Sequence, residues 1–142
     1  MLVNLLYASR VSAGINGEIT EGILQQSREK NPRLGITGIL CQGGDVFMQV
    51  LEGGRLAVNE LYNTIVRDAR HQQVLLLHYQ EVSHRRFAGW TMGHVRLDRI
   101  NPSLLLKYSE RPVLDPFSVP GSASMALLEE LLGTAQIIGR AG

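Results

Sequence analysis

Phe47, Gln49 and Leu51 alternate along the run 45–53, Asp-Val-Phe-Met-Gln-Val-Leu-Glu-Gly. Successive side chains of a strand face opposite ways, so these three share one face and set an amide in an apolar row. A buried amide has two donors and an acceptor to satisfy, and leaving one unpaired costs about 1–3 kcal/mol. Partners must come from the protein or from a ligand with polar edges. Tyr7 offers a phenol among apolar neighbours near the amino terminus. Asn31 precedes Pro32, whose ring is expected to push it toward extended backbone and so to aim its side chain. Parallel pairing of the strands carrying Tyr7 and Gln49 would make phenol and amide neighbours. Singly, each residue is more often structural. Together they form a neutral hydrogen-bonding cluster suited to a planar heterocycle with carbonyls and ring nitrogens. Hydrolysis would need a positioned base or an activated nucleophile, which the cluster lacks.

The elements that must position these groups follow from periodicity and punctuation. Leu2 to Ala8 reads as a first strand with Val3, Leu5 and Tyr7 on one face. Gly14 to Gly17 breaks it, and Asn16 is a candidate helix cap. The helix that follows has Glu18 and Glu21 in its first turn and Arg28 and Lys30 in its last, complementing its dipole. Ile19, Ile23 and Leu24 form its apolar stripe, and Pro32 is expected to stop it. Gly35 to Gln42 and Val46 to Leu51 form two strands around the turn Gly43-Gly44-Asp45. Gly53-Gly54 opens a second helix with Val58, Leu61, Tyr62, Ile65 and Val66 on one buried face. Val74 to Leu77, nearly all apolar, is expected to be a central strand. Gly89 to Leu97 is a fifth, with Trp90, Met92 and His94 on one face. The order predicts an α+β, ferredoxin-like βαββαββ sandwich, a five-stranded mixed sheet with two helices on one face. Beyond Asp98, a short helix from Asn101-Pro102 to Lys107, a segment with Pro112, Pro116 and Pro120, and a helix over 122–132 are expected to cover the other face. Residues 139–142 read as frayed.

Composition narrows the classes. The chain has 142 residues, 44% hydrophobic and 19% charged, with a net charge of +1. That balance fits one soluble domain and supplies no field to recruit nucleic acid or an anionic membrane. No apolar run approaches the roughly 20 residues that span a bilayer. No export signal stands at the amino terminus, and the lone Cys41 suits a reducing cytoplasm as an inert core thiol. His71, His78, His84 and His94 lack metal-ligand spacing. Arg85-Arg86 with His84 reads as a solvated basic loop.

The ordered set Tyr7-Ala-Ser9, Asn31, Gly35-Ile-Thr-Gly38-Ile-Leu40, Phe47-Met-Gln-Val-Leu-Glu-Gly53, Asp68-Ala-Arg-His71, Arg86-Phe87 and Trp90-Thr-Met92-Gly93 resembles the BLUF domain, the blue-light sensor using flavin, of the short single-domain kind. It covers residues 2 to about 97 with the family's spacing, far more than one motif offers. The resemblance implies an FAD ring, or FMN as the alternative, between the two helices. Ile23 and Ile65 would sandwich it, Asn31 would bind its pyrimidine edge, and Gln49 would bridge that edge to Tyr7. Asp68 and Arg70 would help to hold the same end, and Met92 or Trp90 would close the pocket near Gln49. Each also has a plain reading: helix core for the isoleucines, a solvated helix end for Asp68 and Arg70, and plain core or a half-exposed ring for Trp90. Relatives often carry a basic side chain one turn before Asp68, where this chain has Thr64; Lys30 or Arg33 is the candidate to serve instead.

The resemblance also implies a photoreceptor rather than an enzyme. Light would draw an electron and a proton from Tyr7 and leave Gln49 rearranged, with the fifth strand and the carboxy-terminal helices carrying the signal. Residues 1–98 would be the sensor domain and 99–142 a helical extension. Output would pass through a second copy in a dimer or larger ring, or through a separate effector protein, with Leu104, Leu105 and Leu106 as contacts. The rival from another class is a cofactor-free regulatory or dimerisation module. An acylphosphatase-like hydrolase ranks last, because no glycine-rich anion loop joins the first strand and helix.

Overall fold

The computed structural model describes residues 1–11, 18–134 and 137–138. Five strands, β1 (Leu2–Val11), β2 (Thr37–Gly43), β3 (Val46–Gly54), β4 (His71–Val82) and β5 (Gly93–Arg96), form one sheet in the order β4-β1-β3-β2-β5. Helices α1 (Glu18–Leu34) and α2 (Arg55–Arg67) cover one face. Helices α3 (Pro102–Tyr108) and α4 (Gly121–Leu131) pack on the other. The expected α+β, ferredoxin-like mixed sheet is therefore present. Gly14 to Gly17 with the Asn16 cap, and residues 139–142, lie outside the described residues.

Alternation divides the sheet between two cores. Val3, Leu5, Tyr7, Phe47 and Leu51 point toward α1 and α2 and meet Ile23, Leu24 and Val58. Leu6, Met48, Val50, Ile39 and Cys41 point the other way, against Leu105, Met125, Leu127, Leu128 and Leu131. Cys41 is fully buried, and burial pushes its thiol far above the ordinary value.

Several expectations need correction. β1 and β3 run antiparallel, not parallel. The crossover through α1 sets β1 and β2 in the same direction, and the hairpin then reverses β3. Tyr7 still falls directly opposite Gln49. Pro32 does not stop α1, and Asn31 is helical rather than extended. The proline ring removes only the N–H that would bond to the Arg28 carbonyl, and one more turn follows. The helix ends instead at Gly35 (φ 69°), where the Ile36 N–H reaches the Asn31 carbonyl (2.9 Å) and the Gly35 N–H reaches that of Pro32 (3.2 Å). That Schellman pairing needs a left-handed residue, which glycine supplies cheaply.

β4 is an edge strand, not a central one. Its Leu75, Leu76 and Tyr79 are exposed, because β4 pairs with the outer side of β1 and has no strand beyond it. Two register shifts in the β1–β4 ladder twist this edge, a feature that discourages pairing with other chains. β5 begins at Gly93, so Trp90 and Met92 precede it and enter different cores: Trp90 the α4 side, Met92 the α1/α2 side. Val66 is exposed, as is Leu106, whereas Leu105 is buried and Leu104 packs against the core.

Candidate functional site

A cleft of about 280 Å³ opens between α1 and α2. Its floor includes Gln49; α1 contributes Ile23, Ser27, Lys30 and Asn31, and α2 contributes Leu61, Thr64 and Ile65. Leu61 and Ile65 are only half-buried, because the two helices do not close over the sheet. Asp68, Arg70 and His71 line one end.

The floor carries a hydrogen-bonded chain. The Tyr7 hydroxyl donates to Gln49 Oε1, and Gln49 Nε2 donates to Met92 Sδ at 3.3 Å. Tyr7 and Met92 are fully buried and Gln49 nearly so. Burial foremost, with the Tyr62 and Asp68 charges adding, pushes the Tyr7 phenol far above its ordinary value, so it stays protonated. Rings of Tyr62 and His71 flank it at centroid distances of 5.9 and 6.0 Å. His71 in turn pairs its Nδ1 with Ser9 Oγ at 2.7 Å, and burial lowers its pKa.

The amide nitrogen of Asn31 is buried and has no partner. An orphaned donor lining an apolar cleft is what a ring with acceptor atoms would satisfy, and no protein group satisfies it here. At the open end, Arg70 grips Asp68 in an ion pair (Nη2 to Oδ2, 2.6 Å) and reaches Gln26 Oε1 at 2.9 Å. The guanidinium hydrogen bond holds the Asp68 carboxyl below the usual range.

Every residue anticipated for the site except Trp90 thus meets in or against this cleft: Tyr7, Ile23, Asn31, Gln49, Ile65, Asp68, Arg70 and Met92. Lys30, not Arg33, lines it beside Thr64, whose hydroxyl is spent on the Glu60 carbonyl (3.0 Å). Among the described residues no cluster of His, Cys, Asp or Glu could hold a metal ion, and no helix is long and apolar enough to cross a membrane.

Three contacts were not anticipated. Arg28 donates from Nε and Nη2 to the Met92 carbonyl (3.3 and 3.2 Å). Ser9 partners His71, as described. Glu52, fully buried, accepts from the Arg86 N–H (3.0 Å), the Phe87 N–H (2.6 Å) and Asn4 Nδ2 (2.9 Å). A carboxylate among Met48 and Val50 on the second face of β3 was the available signal for it. The basic loop is likewise bound, through Arg85 to Thr37 (3.0 Å) and Arg86 to Glu129 (3.1 Å).

The chain's sequence and fold both have known counterparts. Residues 2–93 match the family model described as sensors of blue light using FAD. The chain is 32% identical over 92 residues to a photoactivated adenylate cyclase subunit beta of Euglena longa, covering 64% of this chain and 11% of that protein. It is 31% identical over 99 residues to the blue light- and temperature-regulated antirepressor BluF of Escherichia coli K12, covering 68% and 25% respectively. The chain therefore spans a quarter or less of these curated relatives. Two solved structures match over nearly their whole lengths. BlsA in its photo-activated state superposes with a TM-score of 0.84 at 28% identity, covering 96% of this chain and 98% of that one. BlrB in its dark state gives 0.77 at 34%, covering 92% and 94%. The cleft, its hydrogen-bonded floor and these matches together make the chain a member of the BLUF family of blue-light flavin sensors.

Proposed function

We propose that this protein senses blue light through a flavin, FAD with FMN as the alternative, held non-covalently between α1 and α2. The observation that carries this reading is the Tyr7–Gln49–Met92 chain beneath a cleft walled by Ile23 and Ile65, with the orphaned Asn31 amide on its rim. The volume, just under the usual range for small-molecule pockets, suits the ring system, with the rest of the cofactor outside. Ile23 and Ile65 would hold the ring between them and exclude water, Asn31 would donate to its polar edge, and Asp68 with Arg70 would order that end. Lys30 takes the place of the basic residue that Thr64 replaces. When bound, flavin supplies the absorption of blue light and an excited state that is a strong oxidant.

Tyr7 is the donor. With flavin bound and excited, the electron would pass from Tyr7 to the flavin; an oxidised phenol is far more acidic than a neutral one, so its proton would move along the existing hydrogen bond to Gln49 Oε1. Once electron and proton return, Gln49 is left rearranged, turned about its amide or tautomerised. A turned amide presents Oε1 to Met92 Sδ, and a thioether cannot donate. In that turned arrangement the Met92 contact is lost, which removes one of the ties on the segment leading into β5. A buried network with two discrete arrangements converts this local change into a population shift. Residues 1–98 act as the sensor and 99–142 as the output, read by a second copy or a separate effector protein in the cytoplasm. The chain itself catalyses no reaction.

The test is an absorption spectrum before and after blue illumination. A small, persistent red displacement with the flavin still oxidised is expected, and Gln49→Leu should keep its flavin and lose the displacement. Colourless protein that takes up no flavin would favour the cofactor-free module, and bleaching would point to a different photocycle. A normal displacement in Gln49→Leu would remove Gln49 from the mechanism.

A further inference from the structure

The segment from Arg85 to His94 is pinned along its length by groups from both faces of the sheet. Glu52 accepts the backbone N–H groups of Arg86 and Phe87, and the Gly38 N–H donates to the Trp90 carbonyl at 2.9 Å. The backbone of His94 bonds in both directions to Ile138, at 2.8 and 2.9 Å. Between these clamps the chain must place Trp90 in one core and Met92 in the other. Gly93 makes the crossing possible: a Cβ there would lie 2.6 Å from Ile137, 2.8 Å from Ile39 and 3.1 Å from Trp90.

The Met92 carbonyl lies just before β5, and the group that holds it is a side chain, Arg28 of α1, through two N–H groups of one guanidinium. A planar fork fixes the direction of a carbonyl better than a single ammonium does. Fixing that carbonyl fixes the peptide plane after Met92, and with it the line along which the thioether reaches Gln49. Arg28 is exposed on its helix, so it fills no core volume. Three residues further along the same helix stands Asn31, on the cleft rim.

We infer that Arg28 is a positioning residue that keeps Met92, and not Trp90, against Gln49. It acts through the Met92 backbone and does not itself line the cleft. It also ties the helix that lines the cleft to the segment that feels the Gln49 amide. The functional meaning of this inference rests on the photosensing reading above, but the placement of Met92 does not.

The experiment uses the full chain with Arg28→Gln and Arg28→Lys, first without flavin. Met92 is one of four methionines, and Trp90 is the sole tryptophan, so ¹³C-methyl methionine spectra and tryptophan emission both report on the segment. In Arg28→Gln the Met92 methyl resonance should move or broaden and the Trp90 emission should change. In Arg28→Lys the displacement should be partial, since one ammonium replaces a two-pronged contact. With flavin bound, Arg28→Gln should keep its cofactor and change the rate of dark recovery at least fivefold. An unmoved Met92 resonance and unchanged emission in folded Arg28→Gln would overturn the inference. Should that variant fail to fold, Arg28→Lys decides alone: a displaced Met92 resonance supports the inference and an unmoved one overturns it. Failure to take up flavin would sink the photosensing reading and leave the flavin-free result standing.

Discussion

Asn31 illustrates how one side chain separates binding from folding. Its amide nitrogen is buried without a partner, so deleting it takes little from the flavin-free protein. In the loaded protein the same donor would meet the ring, and losing a hydrogen bond there costs about 1–3 kcal/mol. Asn31→Ala is therefore expected to lower flavin affinity roughly ten- to a hundredfold while the melting temperature of the flavin-free protein barely moves. Titration with flavin and a thermal melt of the unloaded protein check both halves. An unchanged affinity would take Asn31 out of the pocket. Tyr7 and Gln49 stand out in the sequence because each is a polar group where the local pattern is apolar, whereas Asn31, among Glu29, Lys30 and Arg33, stands out only through the Pro32 that follows it and through the family resemblance. Arg28 does not stand out, because a basic residue late in a helix already has an adequate explanation in the helix dipole. Nothing local says that a carbonyl sixty-four residues later needs it.

At the scale of elements, Gly38 shows how closely β2 is packed. A Cβ there would collide with the Val50 carbonyl oxygen, and its own N–H is committed to Trp90. Gly38→Ala is thus expected to cost about 1–3 kcal/mol, the usual range for overpacking, read from the urea midpoint. A change below about 0.5 kcal/mol would mean that the strand yields easily. The helices and the hairpin were legible because periodicity and turn residues are local signals. Strand position was not. Val74 to Leu77 looks central by composition, yet an apolar run says only that a residue tolerates burial, and topology put it on the edge. Pro32 misled for a related reason: local sterics disfavour a helix before proline, but the Gly35 cap and the burial of Asn31 favour one more turn. The direction of β3 relative to β1 follows from counting reversals of the chain, which the residues of either strand do not encode.

For the molecule as a whole, two histidines set a pH dependence. Burial, ahead of the raising effect of Asp68 and the lowering effect of Arg70, depresses the pKa of His71. Burial likewise depresses that of His94, against Glu21 and with Arg96 and Arg28. A depressed histidine pKa means that the folded state binds fewer protons than the unfolded chain, whose imidazoles titrate near about 6.5. Stability from these groups is present above that pH and is lost as pH falls through the folded values. The urea midpoint should therefore drop between pH 7.5 and pH 5, and most of the drop should vanish when both residues are replaced by Asn. A midpoint flat over that interval would contradict the burial of these rings.

Cys41 lies on β2 between β3 and β5, fully enclosed, with its thiol held in the unreactive protonated form. The chain has no other cysteine. A cysteine placed at an exposed position such as Leu106 would then be the one group to take a maleimide dye or a spin label, with no need to remove the natural thiol. The mobility and surroundings of α3 could then be followed in darkness and under illumination on an otherwise unaltered chain.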